Sequence, residues 1–233
     1  MDREEQRYKE LRRLGQELHV PVPEAIWEFE VRDRHGKLLQ RHRQRCHSWT
    51  RNAYNALFTQ LAGKDADNSV FGAGLLSLKD TSGAVKYGNY PFTYGQYSVD
   101  GPDLAGYRAV AANDSKGILV GSGTNPESFE DYALQTLIPN GTGAGQLSYI
   151  QSEPHEVTYD TPTRVLRNQL VRYFNNNSGG DIDVNEVALV NSMQQPGAWP
   201  KFVMSRDKLA TTVTVPNTGQ LKVTYTIQLT YPV

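Results

Sequence analysis

At 233 residues, with 24 Lys and Arg against 25 Asp and Glu, the chain has room for one large β domain or two small ones and lacks the positive balance of a general polyanion binder. Its single cysteine, Cys46, excludes an intramolecular disulfide framework and any zinc site built from several cysteines. The opening Met1-Asp2-Arg3-Glu4-Glu5-Gln6-Arg7 is too charged for a signal peptide and no apolar run approaches a membrane span, so a soluble product of a cytoplasm is expected, with no membrane partner.

Charge is concentrated early: 12 of the 24 basic residues, by count, lie in residues 1–51 with 9 acidic ones among them, and the remainder is rich in Gly, Asn, Thr, Ser and Tyr. Such a shift marks a boundary between a connecting part and a body. The expected division is 1–47, a charged helix and hairpin acting as a docking arm, and 48–233, a β-sandwich body that opens with a helix at about 48–62.

Residues 2–18 read as a helix with a thin apolar stripe of Tyr8, Leu11, Leu14 and Leu18 at three- and four-residue spacing. Gly15 weakens its last turn, and Pro21 and Pro23 end it. The stripe is too narrow for a large core; it fits an arm that docks on a neighbouring chain, or a marginal helix lying on its own domain. Residues 25–33 and 38–47 then form a hairpin around Arg34-His35-Gly36-Lys37, with Trp27, Phe29 and Val31 on one face. The row Arg41, Arg43, Arg45 can grip phosphate, but Glu28 and Glu30 on the partner strand absorb it by cross-strand pairing, which argues against direct nucleic acid contact.

Ser48 is placed to cap a helix whose stripe is Trp49, Ala53, Ala56, Leu57 and Leu61, widened by Tyr54 and Phe58 and ended at Gly63. Leu75, Leu76 and Leu78 suggest a strand turning at Asp80-Thr81-Ser82-Gly83. Tyr90, Phe92, Tyr94 and Tyr97, set among Gly and Asn, are candidate contact residues for a protein or a sugar, or rings packed on their own sandwich.

From residue 117 the pattern is regular. Strands are expected at 117–121, 146–152, 155–161, 162–174, 181–190 and 202–204, with Val213 and Val215 leading to the last one. The Asn175–Gly180 turn suits a hairpin. Over 221–231, Leu221, Val223, Tyr225, Ile227, Leu229 and Tyr231 alternate with Lys222, Thr224, Thr226, Gln228 and Thr230, the period of a strand with one dry face. The fold expected is mainly β: an antiparallel β-sandwich or jelly-roll-like body with one or two helices in the N-terminal quarter.

No pattern reads as an active site, and no cofactor is implied. The glycine-rich Gly121-Ser122-Gly123 lacks the lysine of a phosphate loop. His42, Cys46 and His47 lie close together on a strand and point to opposite faces, unlike a converging metal site. Asp181-Ile182-Asp183-Val184-Asn185-Glu186 puts Glu186 where a calcium loop needs glycine.

Four pieces together resemble virion structural proteins of tailed bacteriophages. They are Ser48–Tyr54; Gly117–Gly123 with Asp131-Tyr132-Ala133-Leu134; Arg172–Gly180 with Val184–Leu189; and Ser205–Leu209 ahead of the last strand. They span roughly residues 48–230. The resemblance implies a non-enzymatic, β-rich building block of a virion, a minor capsid, decoration or tail-associated protein. Such a block assembles as a homo-oligomer and with neighbouring virion proteins. The alternative is a receptor- or carbohydrate-binding module that meets a host surface glycan or receptor through the Tyr-rich loops. Candidate partner-binding residues are therefore Tyr8, Leu11, Leu14, Leu18, Tyr90, Phe92, Tyr94 and Tyr97.

Overall fold

The computed structural model describes residues 3–62, 77–86, 105–193 and 198–231. In chain order these form α1 (Arg3–Glu17), β1 (Pro23–Arg32), β2 (Leu38–Arg45), α2 (Arg51–Ala62), β3 (Leu78–Lys79) and β4 (Val85–Lys86). There follow β5 (Gly117–Gly121), β6 (Ser148–Tyr149), β7 (Glu156–Asp160), β8 (Val165–Asn175), β9 (Ile182–Ser192), β10 (Lys201–Val215) and β11 (Gln220–Thr230). One sheet has the order β2-β1-β11-β8-β6, with β7 also paired to β8; a second has the order β10-β9-β5; β3 and β4 make a small ribbon. All ladders between these strands are antiparallel, and the two larger sheets share one apolar core, so the protein is a mainly β sandwich, with two helices among the described residues.

The alternating row of the last strand sets the geometry. β11 lies in the middle of the larger sheet, and its inward residues continue across the neighbouring strands in rows. Trp27, Tyr225 and Leu170 make one row, Phe29, Val223 and Arg172 the next, and Val31, Leu221 and Phe174 the third. All nine are buried. Trp27 and Tyr225 meet tilted, 4.4 Å between ring centroids, and Tyr149 meets Phe174 edge-on at 4.8 Å. On the other face of β11 the polar side chains bond their neighbours: Gln169 Nε2 donates to Thr226 Oγ1 at 2.8 Å and Arg167 Nε to Gln228 Oε1 at 3.1 Å.

The division at residue 47 does not coincide with a break in the fold. β1 pairs with β11 over ten residues and supplies Trp27, Phe29 and Val31 to the core, so the hairpin is built into the body. Cross-strand pairing over the arginine row is as expected: Glu28 lies opposite Arg43 and Glu30 opposite Arg41, with carboxylate–guanidinium distances of 3.6–3.8 Å. β2 would otherwise be an open sheet edge. Two glutamines close it onto β10: Gln40 donates to Thr212 O and accepts from Thr214 N, and Gln44 donates to Lys208 O and accepts from Ala210 N.

Three other expectations change. The 176–181 connection does not close a hairpin, because β8 pairs with β11 and β9 with β10; it crosses from one sheet to the other. Asn176 fixes it there, donating to Gly180 O and Val215 O, while its backbone clasps Thr218 and Gly219 of the second crossover. The result is a long hairpin doubled over between two sheets, a winding that jelly-roll sandwiches also use. Second, the stretches at 202–204 and 213–215 belong to one strand, β10, which shifts register twice against β9. Third, α2 starts at Arg51 and Ser48 does not cap it: the Ser48 hydroxyl donates to Arg206 O and Asp207. Leu75 and Leu76 lie outside the described residues.

Candidate functional site

Buried charges offer the first places to look for chemistry. Arg172 is enclosed in the core, and its five guanidinium bonds go to backbone carbonyls: Val110, Asn113, Lys116, Ile118 and Ile150, at 2.5–3.3 Å. The rings of Tyr149 and Phe174 flank it at 4.8 and 5.8 Å. Burial pulls its pKa down to about 10, so it stays charged at neutral pH. Glu186, also fully buried, accepts from the backbone N–H groups of Gly123, Gln135 and Thr136 and from Arg206 Nε. Arg206 also binds Asp131 at 2.9 Å and the carbonyls of Asn125 and Pro126. The glycines of Gly121-Ser122-Gly123 make room for that carboxylate: a Cβ on Gly121 would come within 2.5 Å of Glu186 Oε1, and one on Gly123 closer still.

Asp207, the third buried charge, accepts from Trp27 Nε1 at 2.8 Å, His47 N at 2.8 Å and Ser48 Oγ at 2.9 Å. Beside it, burial and then the Asp207 charge push the Cys46 thiol well above its ordinary pKa, which keeps it neutral and unreactive. Arg172 and Glu186 spend their bonds mainly on backbone, while Asp207 holds the Trp27 and Ser48 side chains and one backbone N–H. Among the described residues no group of three or more His, Cys, Asp or Glu is placed to hold a metal ion.

The surface of α1 is arranged in reverse. Its charged side faces the body: Arg12 bonds Glu24 at 2.7 Å and Glu5 at 3.1 Å, and Arg45 bonds Glu24 at 2.6 Å and Glu5 at 2.5 Å. The Arg45 guanidinium lies 3.8 Å above the Tyr8 ring. Leu11, Leu14 and Leu18 face water, 39–68 % exposed. Gly15 is where the chain folds back under the helix; a Cβ there would sit 2.5 Å from Val22 Cγ2 and 2.9 Å from Val20 O. Of the residues expected to contact partners, Tyr8 is thus held against the body and the three leucines are presented outward. Tyr90, Phe92, Tyr94 and Tyr97 lie outside the described residues.

α2 turns only part of its expected stripe, Ala53 and Ala56, onto the body. Its inward bonds are polar: Asn52 donates to Lys79 O and Val203 O and accepts from Lys79 N, and Asn55 donates to Ser77 O. Tyr54, Leu57 and Phe58 are about half exposed, whereas Ala53 and Ala56 pack against Leu78, Met193, Phe202 and Met204. Between this helix and the diverging ends of the two sheets lies a pocket of about 470 Å³. Ala53, Ala56 and Leu57 form its roof; Leu170 and Ile227 come from the larger sheet, and Leu189, Asn191 and Met204 from the smaller.

The polar groups in its walls mostly satisfy one another. His155 Nδ1 lies 3.0 Å from Asn168 Oδ1, and Trp49 Nε1 donates to the Tyr225 hydroxyl at 3.2 Å. Desolvation raises the Tyr107 phenol to about 12, with a hydrogen bond from the Asn191 side chain opposing it. The sequence carried a partial signal for this pocket, since Trp49, Ala53, Ala56 and Leu57 recur at helical spacing, but that stripe reads equally as core. Most of its other walls come from strands more than a hundred residues away.

Against protein-family models, curated proteins and solved structures, the chain gives no significant match.

Proposed function

We propose that the chain is a non-enzymatic structural component of a phage virion that assembles with copies of itself and with neighbouring virion proteins. The observation that carries this reading is the outward stripe Leu11, Leu14 and Leu18. A helix of a free-standing domain turns its apolar side to the body and its charges to water. In α1 the charges are engaged inward by Glu24 and Arg45, which leaves the leucines for another chain. Tyr54, Leu57 and Phe58 on α2 add a second exposed apolar surface of the kind that assembly covers. The resemblance of four segments to tailed-phage virion proteins gives the particle its identity in this proposal.

The test is to assemble particles with the Leu11→Asp, Leu14→Asp, Leu18→Asp chain and quantify its incorporation by mass spectrometry. Incorporation is expected to fall by more than tenfold while the purified chain keeps the wild-type circular dichroism and thermal midpoint. Wild-type incorporation of the folded triple variant overturns the proposal.

A further inference from the structure

We infer that the open pocket between the start of α2 and the 127–129 loop binds a choline-type trimethylammonium group, faced by Trp49, Tyr54 and Phe129 and drawn in by Glu127 and Asp207. The pocket, of about 600 Å³, is of small-molecule size. Three aromatic rings line it in succession, Trp49 to Tyr54 at 6.2 Å and Tyr54 to Phe129 at 5.8 Å between centroids. Their planes are inclined by 61° and 48°, which suits a rounded guest better than a flat sugar ring. Tyr54 and Phe129 are about half exposed, yet the loop that carries Phe129 is firmly held. Phe129 O accepts from Arg51 N at 2.8 Å, and the buried Arg206 binds Asn125 O, Pro126 O and Asp131. The rings are thus fixed in place ahead of any guest, which lowers the cost of binding one.

Charge selects the guest. Glu127 lines the pocket; one of its oxygens accepts from Lys208 N at 2.9 Å, and the other accepts no hydrogen bond from the described residues. Behind the wall, the fully buried Asp207 accepts from His47 N and Ser48 Oγ, of two residues that line the pocket, and from Trp27 Nε1. These donors are neutral, and neither carboxylate has an ion-pair partner among the described residues. The cations nearby are already matched, Arg51 by Glu130 and the His47 ring by Glu4 at 3.2 Å. The two uncompensated carboxylates and the ring faces together make the pocket attractive to positive charge. A primary ammonium or a guanidinium would bring N–H donors that aromatic walls leave unsatisfied. A trimethylammonium brings none, and its methyl groups carry the charge onto the ring faces.

The probe is choline, titrated into the full chain and followed by NMR at the Trp49 indole N–H, with saturable binding expected in the millimolar range. On the wild-type chain 3,3-dimethylbutan-1-ol, the uncharged carbon isostere of choline, is expected to bind about tenfold more weakly. Glu127→Gln keeps the bond from Lys208 N; it is expected to weaken choline about fivefold and to leave the isostere unchanged. Tyr54→Ala is expected to weaken choline about tenfold while keeping the wild-type circular dichroism. Phosphocholine separates a phospholipid headgroup from the free cation: its phosphate meets the carboxylates, and it is expected to bind less well than choline. Absence of saturable choline binding, or binding unchanged in Tyr54→Ala, overturns the site. Equal affinity of choline and its isostere for the wild-type chain, or tighter binding of phosphocholine, overturns the role of the carboxylates, and both comparisons stand even where a variant does not fold.

Discussion

Arg172 sits in an otherwise apolar row, between Phe29 and Val223 on one side and the Tyr149 ring on the other. A guanidinium survives there because its planar fork matches five carbonyls at once, on the 110–118 segment and at Ile150. Lysine keeps the charge but brings three donors without the fork. Arg172→Lys is therefore expected to cost about 2–3 kcal/mol, and Arg172→Met more than about 3 kcal/mol, as read from urea unfolding. Glu186 works in the opposite sense, gathering N–H groups from the 123–136 loop. Glu186→Gln keeps the shape but loses the charge and one acceptor. Hydrogen exchange at Gly123, Gln135 and Thr136 is expected to speed up by at least tenfold, with β11 amides little changed. Neither role was legible beforehand. Both residues lie on the inward face of their strands, but their partners are loop carbonyls and amides that no spacing rule identifies.

Among the elements, α1 is held by charge more than by apolar contact, and that gives it a pH dependence. The Arg45 hydrogen bond holds the Glu5 carboxyl below its ordinary value, with burial opposing and Arg12 assisting. A carboxyl lowered in the folded state contributes stability that is complete above its unfolded value, about 4.3, and is lost as pH falls through the lower folded value. Hydrogen-exchange protection of residues 3–17 is thus expected to disappear below about pH 4, ahead of the sheets. Protection that persists there to the global unfolding point would show that other contacts hold the helix. The β2 edge depends on glutamines instead: Gln40→Ala with Gln44→Ala removes four bonds to β10 and is expected to cost about 2–4 kcal/mol in urea.

For the molecule as a whole, the order β2-β1-β11-β8 puts residues 23–45 inside the cooperative unit and leaves α1 outside it. A chain lacking residues 1–20 is expected to unfold in one transition with a midpoint within a few degrees of the full chain, since Glu24 and Arg45 still pair with each other. A chain lacking residues 1–33 loses Trp27, Phe29 and Val31 and exposes the edge of β11, and no cooperative transition is expected by calorimetry. With both outcomes, the structural boundary falls near residue 20 rather than 47. They also separate loss of assembly, expected of the shorter deletion, from loss of fold.

The strands at 23–32, 182–192 and 220–230 could be read directly, because alternation with period two is a local property that any half-buried strand must show. That Glu28 and Glu30 meet arginines of the partner strand was also legible, since a short connection makes neighbouring strands pair; which arginine faces which was not, because the register shifts between Val31 and Arg32. Sheet membership was not. Whether 165–175 pairs with 182–192 or with 220–230 depends on where a doubled hairpin crosses between sheets, and the local alternation is the same in either case. How the helices face was left open for a related reason: periodicity finds the apolar side of a helix but not whether that side meets the body or another chain. The decisive contacts join distant residues, such as Trp27 to Asp207 across 180 positions, and only closure of the sandwich brings Asn191, Ile227 and Ala56 around one pocket. Long-range contacts are selected by packing two sheets against one core, a collective choice that no single stretch of chain encodes.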